Sequence, residues 1–262
     1  MAMDSIAITT KDLTKIYNMG RKNEVRAVQN LNISIKKGEI YGLLGENGAG
    51  KTTTVRILTT MIKSTSGNAY IFGNNVVTNS SIARKYIGCL PQDAGLYEEF
   101  SALENLNFIA SLRGLNNMEK EEQITRLIKL VGLEDRKKDR VETYSGGMKR
   151  RLMIARAMIG NPQILFLDEP TAGIDVLASR KLREIIKILS RKRNTTIILS
   201  THDMISAERL CDRVGVLNKG VLIAEGTPKD LIKEHAGPDG DLEDAVVNLI
   251  GWTGEMDEVI GE

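Results

Sequence analysis

Apolar residues along this chain fall into two patterns. Short alternating or continuous runs read as strands at IAITT (6–10), LNISIK (31–36), EIYGLLG (39–45), NAYIFG (68–73) and YIGCLPQ (86–92). Further runs of the same kind lie at QILFLDEP (163–170), TTIILSTH (195–202), RVGVLNKG (213–220) and VLIAEG (221–226). Helical periodicity appears after position 50 and at 103–113, 119–131, 146–160, 177–192, 204–211 and 228–235. Within 177–192, Leu182, Ile185, Ile186 and Leu189 follow the i, i+3, i+4, i+7 spacing, so one face packs on a sheet. The early strands are separated by turns, as in an antiparallel layer. ILFLDEP and TTIILSTH are doubly buried strands with a helix between them, which predicts a parallel α/β core. The largely helical stretch of about 93–160 predicts a helical subdomain inserted into that body. Residues 1–235 are expected to form one domain, and 236–262 a tail in which GPDGD links to a short amphipathic helix at LEDAVVNLIGW.

Composition narrows the class without naming a partner. The chain has 262 residues, 42% apolar and 27% charged, with a formal net charge of +2. That is ordinary for a folded domain with its own core. Basic runs at 136–138, 149–151 and 191–193 carry no interleaved aromatics and read as solvated helix ends, so no nucleic acid partner is expected. Cys89 and Cys211 show no metal-binding spacing and read as plain reduced thiols of a cytoplasmic protein. MAMDSIAITT lacks the basic-then-apolar order of a signal peptide. No segment reaches the ~18 continuous apolar residues that span a bilayer.

Candidate chemistry begins at GENGAGKT (45–52), between a strand and a helix pattern. It fits G-x-x-x-x-G-K-[ST] through Gly45, Gly50, Lys51 and Thr52. Glycines let backbone N–H groups turn inward around a polyphosphate, and the helix offers its positive end. The lysine reaches the β- and γ-phosphates, and the Thr52 hydroxyl ligates Mg²⁺. A nucleotide with Mg²⁺ is therefore the expected ligand, bound by Gly45, Asn47, Gly48, Ala49, Gly50, Lys51, Thr52 and Thr53. ILFLDEP supplies Asp168 and Glu169 where an apolar strand stops. Asp168 is expected to hold the metal and Glu169 to polarise the attacking water. TTIILSTHD ends a second such strand with His202, placed to reach the γ-phosphate or the water beside Glu169. His235, near the tail, reads as a satisfied or solvent-facing histidine.

YSGGMKRRLMIARAMIGNPQ (144–163) runs directly into ILFLDEP and resembles the LSGGQ signature of ABC-type ATPases with its following helix. The resemblance covers roughly residues 5–230 and takes every motif in order. GENGAGKT is similar to the Walker A loop, Gln92 in LPQD to the Q-loop glutamine, and ILFLDE to Walker B. AGID with Asp175 is similar to the D-loop, STH with His202 to the switch histidine, and Tyr17 in LTKIY to the aromatic residue that stacks on adenine. The signature departs from its pattern at Tyr144 and Met148 but keeps Ser145, Gly146 and Gly147, and AGID replaces the commoner SALD.

What the resemblance implies is a P-loop NTPase of ABC type: a parallel sheet core, an antiparallel β layer and an inserted helical subdomain. It implies catalytic roles for Lys51, Gln92, Glu169 and His202, and metal contacts from Thr52, Gln92 and Asp168. Ser145, Gly146, Gly147 and Asp175 would serve the nucleotide of a second ATPase subunit in a head-to-tail dimer. CLPQDAGLYEEFSALENLNFIASLRGL (89–115) and the tail are similar to subunits of drug and lipid exporters. The expectation is an ATPase driving integral membrane permease subunits, peripheral on the inner face of the cell membrane. In that setting Leu96 and Tyr97 suit a docking groove or local packing. The alternative is a soluble ABC ATPase acting in cofactor assembly or another role outside transport.

Overall fold

The computed structural model describes residues 6–91 and 95–251, so Gln92 lies outside the described residues. Among the described residues two sheets form. In the first, β1 (Ile6–Tyr17) pairs antiparallel with β2 (Val25–Leu31), β3 (Ser34–Lys36) and β5 (Ser66–Ile71), and β6 (Asn74–Asn75) pairs antiparallel with β5. β1 runs well past IAITT to Tyr17. Its register shifts between Lys11 and Thr14 and between Leu13 and Lys15, so the regular alternation that marks a strand breaks there.

The second sheet has the order β11-β10-β4-β9-β8-β7. β4 (Ile40–Leu44), β7 (Ile87–Leu90), β8 (Ile164–Asp168), β9 (Thr196–Thr201) and β10 (Arg213–Asn218) are mutually parallel, and β11 (Val221–Gly226) is an antiparallel edge. Every residue of β4, β8 and β9 is buried, as continuous apolar runs covered on both faces require. Their side chains sort by the two-residue period. Ile40, Leu44, Leu165, Leu167, Ile197 and Leu199 join one apolar cluster, while Tyr41, Leu43, Ile164, Phe166 and Ile198 join the other. Each such buried side chain contributes about 1.5–3 kcal/mol.

Helices cover the sheet. α1 (Lys51–Leu58) leaves β4, and the one-turn α2 (Ser80–Ala83) precedes β7. α3 (Ala102–Leu112), α4 (Asn117–Leu130) and α5 (Gly146–Ala157) pack on one another between β7 and β8. α3 and α4 both open with reciprocal capping boxes, Ser101 with Glu104 and Asn116 with Glu119. α6 (Val176–Arg193) crosses from β8 to β9, burying Leu182, Ile185, Ile186 and Leu189 as its spacing predicts. α7 (Met204–Leu210), α8 (Pro228–His235) and α9 (Leu242–Ile250) follow. Leu242 and Val246 of α9 enter the same cluster as Leu210 and Leu231, so the tail helix is packed onto the body.

Parallel register decides where chemistry can gather. Leu44 pairs with Thr201, and Asp168 with Ser200. The carboxyl ends of β4, β8 and β9 therefore stand side by side, and the chain leaves them at Gly45, Glu169 and His202.

Candidate active site

The loop 45–50 joins β4 to α1. Gly50 has φ 106°, and a β-carbon there would stand 2.2 Å from the Ala27 carbonyl oxygen. Gly45 has φ 145°, and its β-carbon would meet the Leu217 carbonyl at 2.3 Å. Both positions require glycine by conformation and by contact. Gly50 also occupies the N-cap of α1, where it brings no side chain to the first-turn N–H groups. Those donors are left without a side-chain cap, an arrangement suited to an anion.

Lys51 is only 6% exposed. Its Nζ donates to the carbonyls of Gly45 (2.6 Å) and Glu46 (3.1 Å) and lies 3.9 Å from Glu169 Oε1. Burial lowers the ammonium's pKa, and the charges of Glu169, Asp168 and Glu46 oppose that shift. The lysine thus lies along its own loop, tethered by carbonyls that a phosphate can replace.

The acidic pair is fixed from β9. Asp168 Oδ1 accepts from the Ser200 hydroxyl in a short hydrogen bond, and the Thr52 hydroxyl stands 3.5 Å away. Glu169 adopts φ 48°, a left-handed conformation that non-glycine residues rarely take. Its Oε2 accepts from the Thr201 hydroxyl (3.0 Å), and Oε1 lies 2.8 Å from His202 Nδ1. The carboxylate is buried, whereas the His202 side chain is 59% exposed and faces the open side of the site. A cavity of about 300 Å³ runs between these groups, with Asn47, Gly48, Lys51, Thr52, Glu169 and His202 in its wall. Thr53 and Gly50 line it too, while Gly45, Ala49 and Asp168 stand behind the lining.

Of the remaining expected site residues that are described, none lines this cavity. Tyr17 ends β1 opposite Val25, half-buried, with the Lys15 ammonium 5.1 Å from its ring centre. Ser145 caps α5 by accepting from the Met148 N–H (3.3 Å) and is exposed, as is Gly146. Gly147 is buried against Ala178 at the start of α6, and Asp175 caps α6 by accepting from the Ala178 N–H (2.8 Å). The two motifs thereby touch inside one chain. Tyr144, which departs from the signature pattern, is a core residue whose hydroxyl donates to the Arg136 carbonyl (2.6 Å).

Two contributions escaped the sequence reading. Ser200 and Thr201 hold the carboxylates, and their signal was a pair of hydroxyls ending an apolar strand. The basic run at 149–151 is not a solvated helix end: Arg150 is half-buried against the strand-end turn, and Arg151 donates to the carbonyls of Val131 (2.6 Å) and Gly132 (3.3 Å). A helix that packs on the chain at its first turns has no free face for a charge run to solvate.

Comparison with known proteins gives a consistent set of likenesses. The family model described as ABC transporter matches residues 28–172. The bacitracin transport ATP-binding protein BcrA of Bacillus licheniformis is 41% identical over 231 residues, covering 88% of this chain and 72% of that protein. ABC transporter A family member 1 of Dictyostelium discoideum is 39% identical over 226 residues, which is 86% of this chain but 25% of that much longer protein. Among solved structures, a dimeric ATP-binding cassette in a post-hydrolysis state, bound to ADP and Pi, superposes with a TM-score of 0.75 at 28% identity. The match covers 84% of this chain and 98% of that one.

Proposed function

The chain belongs to the ABC transporter family, and from that membership we propose that it is the ATP-binding and ATP-hydrolysing subunit of an exporter. It works as one of two ATPase subunits that close head to tail around two MgATP and drive a separate membrane-spanning partner. The observation that carries this reading is the convergence of Lys51, Glu169 and His202 on one cavity beside the phosphate loop.

ATP enters with its phosphates against the loop N–H groups and the N-terminus of α1. Lys51 exchanges its carbonyl partners for β- and γ-phosphate oxygens. The residues fit a magnesium ion: the Thr52 hydroxyl and Asp168 Oδ1 are hard oxygen donors 3.5 Å apart. Bound there, the ion would neutralise phosphate charge; Gln92 is assigned to the same contact by resemblance. Glu169 takes the proton of a water that attacks the γ-phosphorus, while the bond to the ADP oxygen breaks. His202 orients the carboxylate through its 2.8 Å contact and presents its other ring nitrogen to the open side.

The second subunit completes each site. Ser145 and Gly146 are exposed at a helix N-terminus and lie outside their own chain's cavity, which suits them to a phosphate held by another chain. Tyr17 is assigned to adenine stacking and Asp175 to the contact between subunits. No described helix is long and apolar enough to cross a membrane, so crossing is assigned to the permease subunits, with this chain peripheral on the inner face. Their docking surface includes Tyr97, 45% exposed, with the Phe100 ring tilted against it at 5.3 Å and the Phe108 ring edge-on at 5.2 Å. Transport is what relatives such as the bacitracin transport protein are named for, and the outward direction is supported by a relative named as a Nod factor export ATP-binding protein.

Two measurements test the reading. Glu169→Gln removes the base without changing shape, so turnover falls by about 10²–10⁴ and ATP holds the variant as a dimer on size-exclusion chromatography. Purification from detergent-solubilised native membranes should bring down a polytopic membrane protein. A variant that turns over like the wild type, or a chain that recovers no such partner, overturns the corresponding half.

A further inference from the structure

We propose that Arg150 is a positioning residue of the ATPase reaction, one that holds the strand-end turn carrying Glu169 and links it rigidly to the signature end of α5. Glu169 sits at φ 48°, and such a conformation persists only where neighbours impose it. Its N–H is bound to the Ser200 carbonyl at 2.9 Å. Its own carbonyl accepts from Arg150 Nη2 at 2.6 Å, and the next carbonyl, that of Pro170, accepts from Arg150 Nε at 2.9 Å. One planar guanidinium therefore spans two consecutive peptide units, a match that a lysine ammonium cannot reproduce. The remaining nitrogen, Nη1, lies 4.0 Å from the Met153 sulfur, so the fork is committed to the turn.

Placement on α5 gives the contact a second consequence. Arg150 is four residues, about one helical turn, beyond Gly146, and both ride on the same helix. When Ser145 and Gly146 engage a nucleotide, any displacement of that helix end is carried to the turn bearing this chain's own base. In a dimer with shared sites, α5 then connects the site it completes on the partner with the site it serves at home.

The inference rests on Glu169 acting as the base. The test uses Arg150→Lys, which keeps the charge, and Arg150→Gln, each alone and combined with Glu169→Gln. In the otherwise wild-type chain, kcat should fall by at least about tenfold, while KM for ATP stays within about twofold and the melting midpoint holds. Arg150→Lys should not restore the rate, because the two-carbonyl fork is lost. In the Glu169→Gln background the Arg150 substitutions should change the residual rate by less than about twofold, since the group they position is gone. Unaltered kcat in both variants, an equal loss with and without the Glu169 carboxylate, or a raised KM with a collapsed melting midpoint would each overturn the role. Wild-type activity in Glu169→Gln alone would instead sink the assignment of the base itself.

Discussion

His202 Nδ1 stands 2.8 Å from Glu169 Oε1, the same oxygen that lies 3.9 Å from Lys51 Nζ. One buried carboxylate oxygen thus joins the cation of the phosphate loop to an exposed imidazole at the end of the neighbouring strand. His202→Ala removes the imidazole but leaves Thr201 on the other oxygen, so the carboxylate keeps one anchor and its burial. Turnover should fall by about tenfold or more, less than the ~10²–10⁴ expected for loss of the base itself, with ATP affinity nearly unchanged. Nucleotide titration alongside steady-state kinetics checks the separation; a parallel loss of affinity would place His202 in binding instead.

Lys51 makes its shortest contacts to the carbonyls of its own loop. Lys51→Ala leaves the carbonyls of Gly45 and Glu46 beside an open cavity, where water can reach them. The cost to stability is then small, about 1 kcal/mol, whereas the β- and γ-phosphates lose their only cation from the loop. Calorimetric titration should show ATP affinity reduced by about two orders of magnitude or more. Turnover should be undetectable, and the far-ultraviolet circular dichroism should match the wild type. An unfolded variant, or one that binds ATP normally, contradicts this account.

The central strands were legible because burial on both faces writes continuous apolar runs into β4, β8 and β9. α6 was legible because one face alone is buried, and α8 falls at 228–235 as its periodicity predicts. β2 was not read. Its sequence, VRAVQNL, leaves Val25 and Arg26 exposed and breaks the alternation with a buried Ala27–Val28 pair, so neither strand pattern forms. The site divides in the same way. Gly45, Lys51, Asp168, Glu169 and His202 announce themselves because phosphate chemistry restricts residue type at fixed spacing. Arg150 does not, because its partners are backbone carbonyls at 169 and 170, and carbonyls carry no sequence signal. The burial of Lys51 is equally invisible in sequence, since it depends on loop curvature set by Gly45 and Gly50.

Gly147 and Gly146 should respond differently to the same substitution. A β-carbon at Gly147 would stand 2.5 Å from the Ala178 methyl, and both helices must move to admit it. At Gly146 the nearest atom, on Ile174, is 3.8 Å away, an ordinary contact. Gly147→Asp should therefore lower the melting midpoint through overpacking of about 1–3 kcal/mol. Gly146→Asp should melt close to the wild type and still lose ATP-dependent dimerisation, because its carboxylate faces outward at the helix end. Differential scanning fluorimetry with and without ATP separates the two; equal destabilisation would show that α5 tolerates neither.

The shared site can be tested with two inactive proteins. Lys51→Ala breaks the phosphate loop, and Gly146→Asp sets a negative charge at the signature without the clash that Gly147→Asp would create. Each variant alone forms a pair in which both sites are defective. In a mixed pair the two lesions meet in one composite site, and the other combines an intact Lys51 with an intact Ser145–Gly146 end. Mixing the dead proteins should restore hydrolysis, up to the share of mixed pairs carrying one good site. A chain bearing both substitutions gives the opposite result when mixed with the wild type, because each mixed site then contains one lesion and activity is suppressed. Subunit exchange is followed by fluorescence transfer between labelled chains, so silence in the first mixture cannot be blamed on separate homodimers. With exchange established, a first mixture as inactive as its parents rules out independently working shared sites. Recovery there, with suppression in the second, requires that Lys51 of one chain and the signature of the other act on the same nucleotide.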